Sequence, residues 1–325
     1  MSPGGFMTEL KNDKELQENF YRDHEVSHNI DRNTKIMVTG ADGFLGSRLA
    51  DDLHKLCTVY RIGHSRLDIT NRQEVADVVK ELRPDFVLHC AALSDVGFCE
   101  EHPSLCEQVN VMGPLYLAEA CKANAARLIF MSSDQIYHNS GETAPNREEE
   151  AAAPTNVYGI SKLRAEQELF SLLPDTVCLR LTWMYDLPAL GKRTHQNLLL
   201  QLLNALIRDE KLTLPVYDFR GITWVHEVVT GLRKALFIPG GVYNFGSANE
   251  FSTLETVQKW MDVLGCGNRR DLLLPDSTRF MNRPRNLMID NSKITSFGIR
   301  FSDSACGLKH CLAEYGITVT DSSGI

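Results

Sequence analysis

The stretch that decides the fold is Lys35-Ile-Met-Val-Thr-Gly-Ala-Asp-Gly-Phe-Leu-Gly46, which runs directly into Ser47-Arg-Leu-Ala-Asp-Asp-Leu53. Residues 35–39 read as a short buried strand, and the residues from Phe44 to about 56 read as an amphipathic helix. Three glycines stand between them, at 40, 43 and 46. In a strand-turn-helix unit the first glycine allows the tight turn and the second lets the backbone approach a pyrophosphate. The third lets the helix pack close to the sheet. The helix N-terminus then offers free N–H groups and a partial positive charge to an anion. A glycine triplet alone is weak evidence, but a strand before it and a helix after it make it a dinucleotide-binding turn. The candidate cofactor residues of this turn are Gly40, Asp42, Gly43, Phe44, Leu45 and Gly46.

Outward from this turn the pattern repeats. Apolar runs recur at 57–62, 85–90, 127–131 and 177–181, with helical stretches near 72–82, 104–124 and 155–172. Strands alternating with helices at this spacing imply right-handed crossovers and a parallel sheet covered on both faces. The expected fold is therefore α/β, a doubly wound Rossmann sheet. After Trp183 the alternation breaks down into a helix at 195–208, short strand-like pieces at 212–217 and 242–245, and a helix at 253–264. The expected organisation is a polar extension over 1–34, a nucleotide-binding domain over 35–182, and a smaller C-terminal α/β substrate lobe over 183–325 that interleaves with it. Within the extension only Leu10, Leu16, Phe20 and Tyr21 offer apolar surface for a docked helix.

Composition narrows the function. The 325 residues are 43% hydrophobic and carry a net charge of −8, so a large core is affordable and a basic nucleic-acid-binding face is not expected. No stretch approaches the roughly 18 uninterrupted apolar residues of a membrane span. Residues 8–35 are strongly polar, which argues against a secretory leader and for a cytoplasmic protein. Nine cysteines are scattered without a C-x-x-C pair, which suggests neither a disulfide framework nor a zinc ribbon, and no other metal-ligand spacing stands out. Oligomeric state is open, with a homodimer or a partner enzyme both compatible.

Further along the chain lie the residues that carry chemistry. At the end of the second strand, about 20 residues past the glycine turn, an NAD site usually presents a carboxylate to the ribose 2′-hydroxyl. Here the segment is Val59-Tyr-Arg-Ile-Gly-His-Ser-Arg66, without an acid. Arg61, with Arg66 and His64, would instead meet a 2′-phosphate, so NADP(H) is preferred over NAD(H). Asp68 and Ile69 follow, where a carboxylate can accept from the adenine amino group. Cys90, Ala91 and Ala92 end the third strand with side chains small enough for a close cofactor. Ser132-Ser133-Asp134 lies at the C-terminal end of the next strand, and Tyr158 and Lys162 stand at i and i+4 on one helix face. A phenol with an ordinary pKa of about 10 must exchange a proton with a substrate oxygen near neutrality. A neighbouring ammonium would favour its phenolate. Ser133 would hold the carbonyl oxygen, and Lys162 would also reach the nicotinamide ribose. Ser133, Tyr158 and Lys162 are the catalytic candidates; Ser94, Asp134, Trp183 and Arg220 are the substrate candidates.

Together these motifs resemble the extended short-chain dehydrogenases, with their T-G-x-x-G-x-x-G loop and Y-x-x-x-K pair. Within that group the chain resembles the dTDP-4-dehydrorhamnose reductase family, through Leu67-Asp-Ile-Thr70, Arg83-Pro-Asp-Phe-Val-Leu-His-Cys-Ala-Ala92, Val109-Asn110 and Leu128–Tyr137. Pro154–Leu163, Leu179–Tyr185 and Arg283-Pro-Arg-Asn286 continue the likeness, which spans about 35 to 300. The resemblance implies that Ser133 takes the strand-end Ser/Thr place, Tyr158 the acid and Lys162 its partner, with Trp183 near the sugar. It implies reduction of a 4-keto-deoxysugar nucleotide, with hydride from NADPH and a proton from Tyr158. Two segments differ from that family. The usual S-T-D-Y-V-F-D-G is Ser132-Ser-Asp-Gln-Ile-Tyr-His-Asn139, and an Asp-Lys pair is replaced by Gly97-Phe98. Two other expectations follow from related families. One is an NAD-dependent nucleotide-sugar epimerase or dehydratase. The other is a non-catalytic NADP-binding regulatory protein resembling the β subunit of methionine adenosyltransferase, which shares the R-P-R-N segment.

Overall fold

The computed structural model describes residues 30–140 and 145–317. Its centre is a six-stranded sheet, and every strand pairing in it is parallel. The strands are β1 (Lys35–Thr39), β2 (Thr58–Ile62), β3 (Phe86–His89), β4 (Arg127–Ser133), β5 (Val177–Leu181) and a late one, Gly241–Phe245. Their order across the sheet is β2, β1, β3, β4, β5 and then Gly241–Phe245. The chain therefore leaves β1 in one direction for β2 and returns past it to β3. That reversal creates a crevice at the carboxyl ends of β1 and β3, where open α/β sheets bind ligands. The fold is the expected doubly wound α/β sheet.

Alternation within the strands supplies both faces. Ile36 and Val38 face one apolar cluster with Leu49, Leu179 and Val228, while Met37 faces another with Val75, Val87, Leu117 and Phe130. All of these are fully buried, which is why the strands read as continuous apolar runs rather than alternating ones. Helices α1 (Phe44–Leu53) and α2 (Arg72–Leu82) follow β1 and β2.

The helical stretch expected at 104–124 is broken. Short helices α3 (Val96–Glu101) and α4 (Pro103–Glu107) lead into a π-turn at Gln108–Met112, and α5 (Gly113–Asn124) follows. Pro114 has no N–H to give to the carbonyl four residues back, so the regular ladder cannot pass Asn110 and the wider turn takes its place. The turn holds Asn110 fully buried. Helix α6 (Val157–Leu172) carries the Tyr-x-x-x-Lys pair, and Asn156 caps it by accepting from the Gly159 amide at 2.6 Å.

Beyond β5 the chain forms three small parallel pairs. They are β6 (Trp183–Tyr185) with β9 (Ile222–Trp224), β7 (Leu212–Pro215) with β11 (Leu273–Asp276), and β8 (Asp218–Arg220) with β12 (Arg285–Leu287). The strand expected over 212–217 is the shorter β7, which ends at Pro215, and β8 starts beyond it at Asp218. The run expected at 242–245 becomes β10 (Gly241–Phe245) and joins the main sheet beside β5, so the second half of the chain completes the first. A separate core of Tyr185, Leu198, Leu202, Trp224 and Trp260 lies under these pairs. The expectation for the N-terminal extension falls on residues 1–29, outside those described, apart from 30–34.

Candidate functional site

The glycine turn has the geometry that its spacing predicts. Gly40 adopts φ +62°, and a Cβ there would stand 2.7 Å from the Ala91 amide nitrogen, so the first turn and the end of β3 meet backbone to backbone. A Cβ on Gly46 would run into the Gly40 carbonyl, which brings α1 down onto the turn. Gly43 is the N-cap and offers no side-chain bond. The first amide to find a helical carbonyl is that of Ser47, so the Phe44 and Leu45 amides are without a backbone partner among the described residues. Two free amides at a helix N-terminus, in a turn closed to side chains at Gly40 and Gly46, suit a pyrophosphate.

The carboxyl ends of β3 and β4 build the next part. Asn110 fixes the loop after Cys90-Ala91-Ala92 by accepting from the Leu93 amide and donating to the Leu93 carbonyl, both at 2.9 Å. Ser94 lies exposed just beyond. His89 is buried beneath, 2.7 Å from the Thr39 hydroxyl, and burial pushes its pKa down to about 3, so it stays a neutral packing group.

Ser133 ends β4. Its hydroxyl donates to Asp134 Oδ1 at 3.2 Å and accepts from the Gln135 amide at 3.2 Å. Lys162 is 2% exposed and donates from Nζ to the Met131 carbonyl at 2.9 Å. The same nitrogen lies 4.7 Å from the Phe130 ring centre and 5.8 Å from that of Tyr158. Burial pushes its pKa down to about 8.

For Tyr158 the structure reverses one expectation. Burial holds the phenol well above its ordinary value, and the hydrogen bond with Ser133 only partly offsets this. The ammonium sits over the ring rather than at the hydroxyl, so its charge does not govern the phenol. A phenol held protonated suits proton donation, which is the role the sequence assigns it.

Asp134 lies under this group, 2% exposed, and burial raises its pKa despite the neighbouring guanidiniums. Arg220 Nη2 is 3.4 Å from Asp134 Oδ2, and its guanidinium sits 4.8 Å from the Trp183 ring centre. Arg220 Nε is buried without a partner. The four substrate candidates are therefore not one cluster: Asp134, Arg220 and Trp183 come together, and Ser94 stands on the separate loop after β3. Arg285 braces the group from behind through two 2.7 Å bonds to Asp218, a contact that no sequence spacing signals.

The residues that the sequence assigns to the adenosine of a cofactor differ from that expectation. Arg61 is exposed but ion-paired with Asp51 of α1, which also holds Lys192. Asp68 accepts from the Thr70 amide and hydroxyl at 2.9 and 2.7 Å, and these bonds lower its pKa, while Asn71 caps α2. Ile69 is buried beside it, with its side chain against Gly113. Among the described residues no helix is long and apolar enough to cross a membrane, no group of three His, Cys, Asp or Glu is placed to hold a metal ion, and all nine cysteines are free.

Comparison with known proteins gives a family. A model described as the RmlD substrate binding domain matches residues 34–317. A dTDP-4-dehydrorhamnose reductase from Streptomyces griseus is 31% identical over 276 residues, covering 81% of this chain and 88% of the relative. The solved structure of a dTDP-4-dehydrorhamnose reductase from Bacillus anthracis in complex with NADP superposes with a TM-score of 0.77. It is 24% identical and is covered to 99%, against 87% of this chain. A UDP-glucose 4-epimerase from Thermotoga maritima, solved with UDP-glucose, has a TM-score of 0.73 at 20% identity, over 87% of this chain and 99% of that one. At these identities the two structures speak for the fold.

Proposed function

The chain belongs to the RmlD substrate-binding-domain family, and on that basis we propose that it is an NAD(P)-dependent oxidoreductase that reduces the keto group of a 4-keto-deoxysugar nucleotide. The observation that carries this reading is the convergence of Ser133, Tyr158 and Lys162 at the carboxyl edge of the sheet, beside a turn that leaves the Phe44 and Leu45 amides free. The relatives' name, dTDP-4-dehydrorhamnose reductase, supports the substrate class.

In this reading the nicotinamide supplies the hydride when bound. Ser133 donates its hydroxyl hydrogen to the substrate carbonyl oxygen and fixes that carbonyl in place. Tyr158, protonated in its buried setting, gives its proton to the same oxygen as the carbon is reduced. Lys162 supplies a fixed positive charge beneath the ring and a donor for the cofactor ribose. Arg220, with an unpartnered buried Nε against Trp183, offers the substrate an anion contact. His64 and Arg66 remain exposed for a 2′-phosphate, the feature that favours NADP(H), while Arg61 has first to leave Asp51.

The test is spectrophotometric. NADPH and NADH oxidation is followed with dTDP-, UDP- and GDP-linked 4-keto-deoxysugars, for the wild-type chain and Tyr158→Phe. Turnover that falls by about a hundredfold or more in the variant, with cofactor affinity kept, is expected. Equal rates in both proteins would remove Tyr158 from the chemistry. Tight cofactor binding with no turnover of any sugar would favour the regulatory alternative.

A further inference from the structure

We propose that Asp42 is the residue by which this chain discriminates between the two nicotinamide cofactors. Its carboxylate accepts a hydrogen bond from an unphosphorylated adenosine 2′-hydroxyl and repels a 2′-phosphate. The proposal rests on the cofactor reading above and gives Asp42, which the sequence places only among the residues of the cofactor turn, a discriminating role.

Four observations carry it. Asp42 lies in the glycine turn, exposed, between the end of β1 and the start of α1. Its side chain crosses to the neighbouring strand: a Cβ on Gly63, the first residue past β2, would collide with Asp42 Oδ2 and stand 2.7 Å from its Cγ. The crossing follows from the pairing of Thr39 with Ile62 and from the 3.3 Å bond of the Ala41 amide to the Ile62 carbonyl. The Asp42 carboxylate thus occupies the space that a side chain at the end of β2 would take, which is where dinucleotide folds place the acid that binds the ribose.

The third observation is that this carboxylate is uncommitted. Among the described residues Asp42 has no hydrogen bond or ion pair, whereas Asp51 holds Arg61 and Lys192, Asp52 holds Arg233, and Asp68 holds Thr70. The fourth is that the segment after β2, Gly63-His-Ser-Arg66, has no acid of its own. The ribose-reading carboxylate has in effect moved from the second strand to the glycine turn, and Gly63 makes room for it. His64 and Arg66 attract a 2′-phosphate at the same end of the crevice, so Asp42 works against them and the preference is a balance.

The experiment measures binding and does not depend on turnover. Dissociation constants for NADPH and NADH are determined by cofactor fluorescence titration on the full-length wild-type chain, Asp42→Asn, Gly63→Ala and the double variant. Repulsion between a carboxylate and a nearly dianionic phosphate a few ångströms away in water corresponds to about tenfold in affinity. Asp42→Asn is therefore expected to shift the NADPH/NADH affinity ratio about tenfold toward NADPH, and less so at high salt. Gly63→Ala, whose methyl displaces only the end of a flexible side chain, is expected to shift the ratio the same way, and to add nothing once Asp42 is Asn. A ratio that stays within about twofold in a folded Asp42→Asn protein overturns the proposal and leaves the cofactor reading standing. Failure of the wild-type chain to bind either cofactor overturns both.

Discussion

Replacing Lys162 by Met should make the protein more stable while removing a group its proposed chemistry needs. Lys162 is 2% exposed, with a single hydrogen bond to the Met131 carbonyl and the Phe130 ring beneath its Nζ. Burial pushes its pKa from 10.5 to about 8, against the smaller pull of Glu166 and the nearby thiols. A depressed lysine pKa means that the folded state disfavours the ammonium that the unfolded state carries freely. Below pH 8 both states are charged and the folded one bears the whole penalty. As pH rises from 8 toward 10.5 the folded lysine loses its proton first, and the penalty disappears. A shift of about 2.5 units at 1.36 kcal/mol each gives about 3 kcal/mol at pH 7 and about 2 at pH 9. Methionine has a similar length and no charge, but it leaves the Met131 carbonyl without its donor, which costs about 1 kcal/mol. The net expectation is about 2 kcal/mol in favour of Lys162→Met at pH 7, shrinking by about 1 kcal/mol at pH 9. Urea unfolding of both proteins at the two pH values reads this directly. A variant less stable than wild type at pH 7, or an advantage that does not shrink at pH 9, refutes the reasoning.

Three other substitutions test separate parts of the structure. Gly46→Ala would drive a methyl into the Gly40 carbonyl; we expect NADPH affinity in a binding titration to fall at least tenfold, because α1 must retreat from the turn. Arg48→Met would remove the guanidinium that bonds Asp186 at 2.7 Å, and Asp186 is fully buried. An interior carboxylate that loses its guanidinium and keeps the Trp224 indole N–H and the more distant His226 costs about 3–5 kcal/mol, to be read as a lower urea midpoint, unless a counter-substitution Asp186→Asn restores part of it. Asn110→Ala would release both Leu93 bonds and free the loop after β3; amide hydrogen exchange over 91–95 should accelerate while exchange in β4 stays unchanged.

The parts of the molecule that were legible in the sequence are those where a local backbone or helix constraint dictates residue type. Gly40 and Gly46 announce themselves because a Cβ at either position would collide with backbone, that of Ala91 for Gly40 and the Gly40 carbonyl for Gly46. Tyr158 and Lys162 announce themselves because helical spacing puts them on one face. What stayed hidden depends on partners distant in sequence. Arg61 looks available when only β2 is read, yet α1 brings Asp51 alongside it. The π-turn at Gln108–Met112 follows from Pro114 but is invisible to an apolar periodicity that simply continues through it. The edge strand Gly241–Phe245 looks like part of a second lobe because its partner, Val177–Leu181, lies some sixty residues earlier in the chain.

The titratable groups around the proposed reacting centre are displaced in a common sense. Burial raises Tyr158, raises Asp134 and lowers Lys162, so each is driven toward its neutral form. No structural need requires three such groups in one interior place, since an apolar set of the same volume would pack without the desolvation cost. Buried pairs elsewhere in the chain behave differently. Arg180 and Glu166 meet through bonds of 2.8–3.3 Å, and at Asp218 burial is outweighed by Arg285 together with Arg220 and Thr253, which hold it below its ordinary pKa. Those charges are matched; at the carboxyl edge of the sheet Asp134 has Arg220 at 3.4 Å, while Tyr158 and Lys162 have no ion-pair partner among the described residues. Unmatched ionisable groups gathered beside free helix amides are what a site must keep when its complementary charge and hydrogen-bonding partners arrive with the ligand. This contrast, more than the identity of any one residue, is what supports the proposal that the carboxyl edge of the sheet serves catalysis.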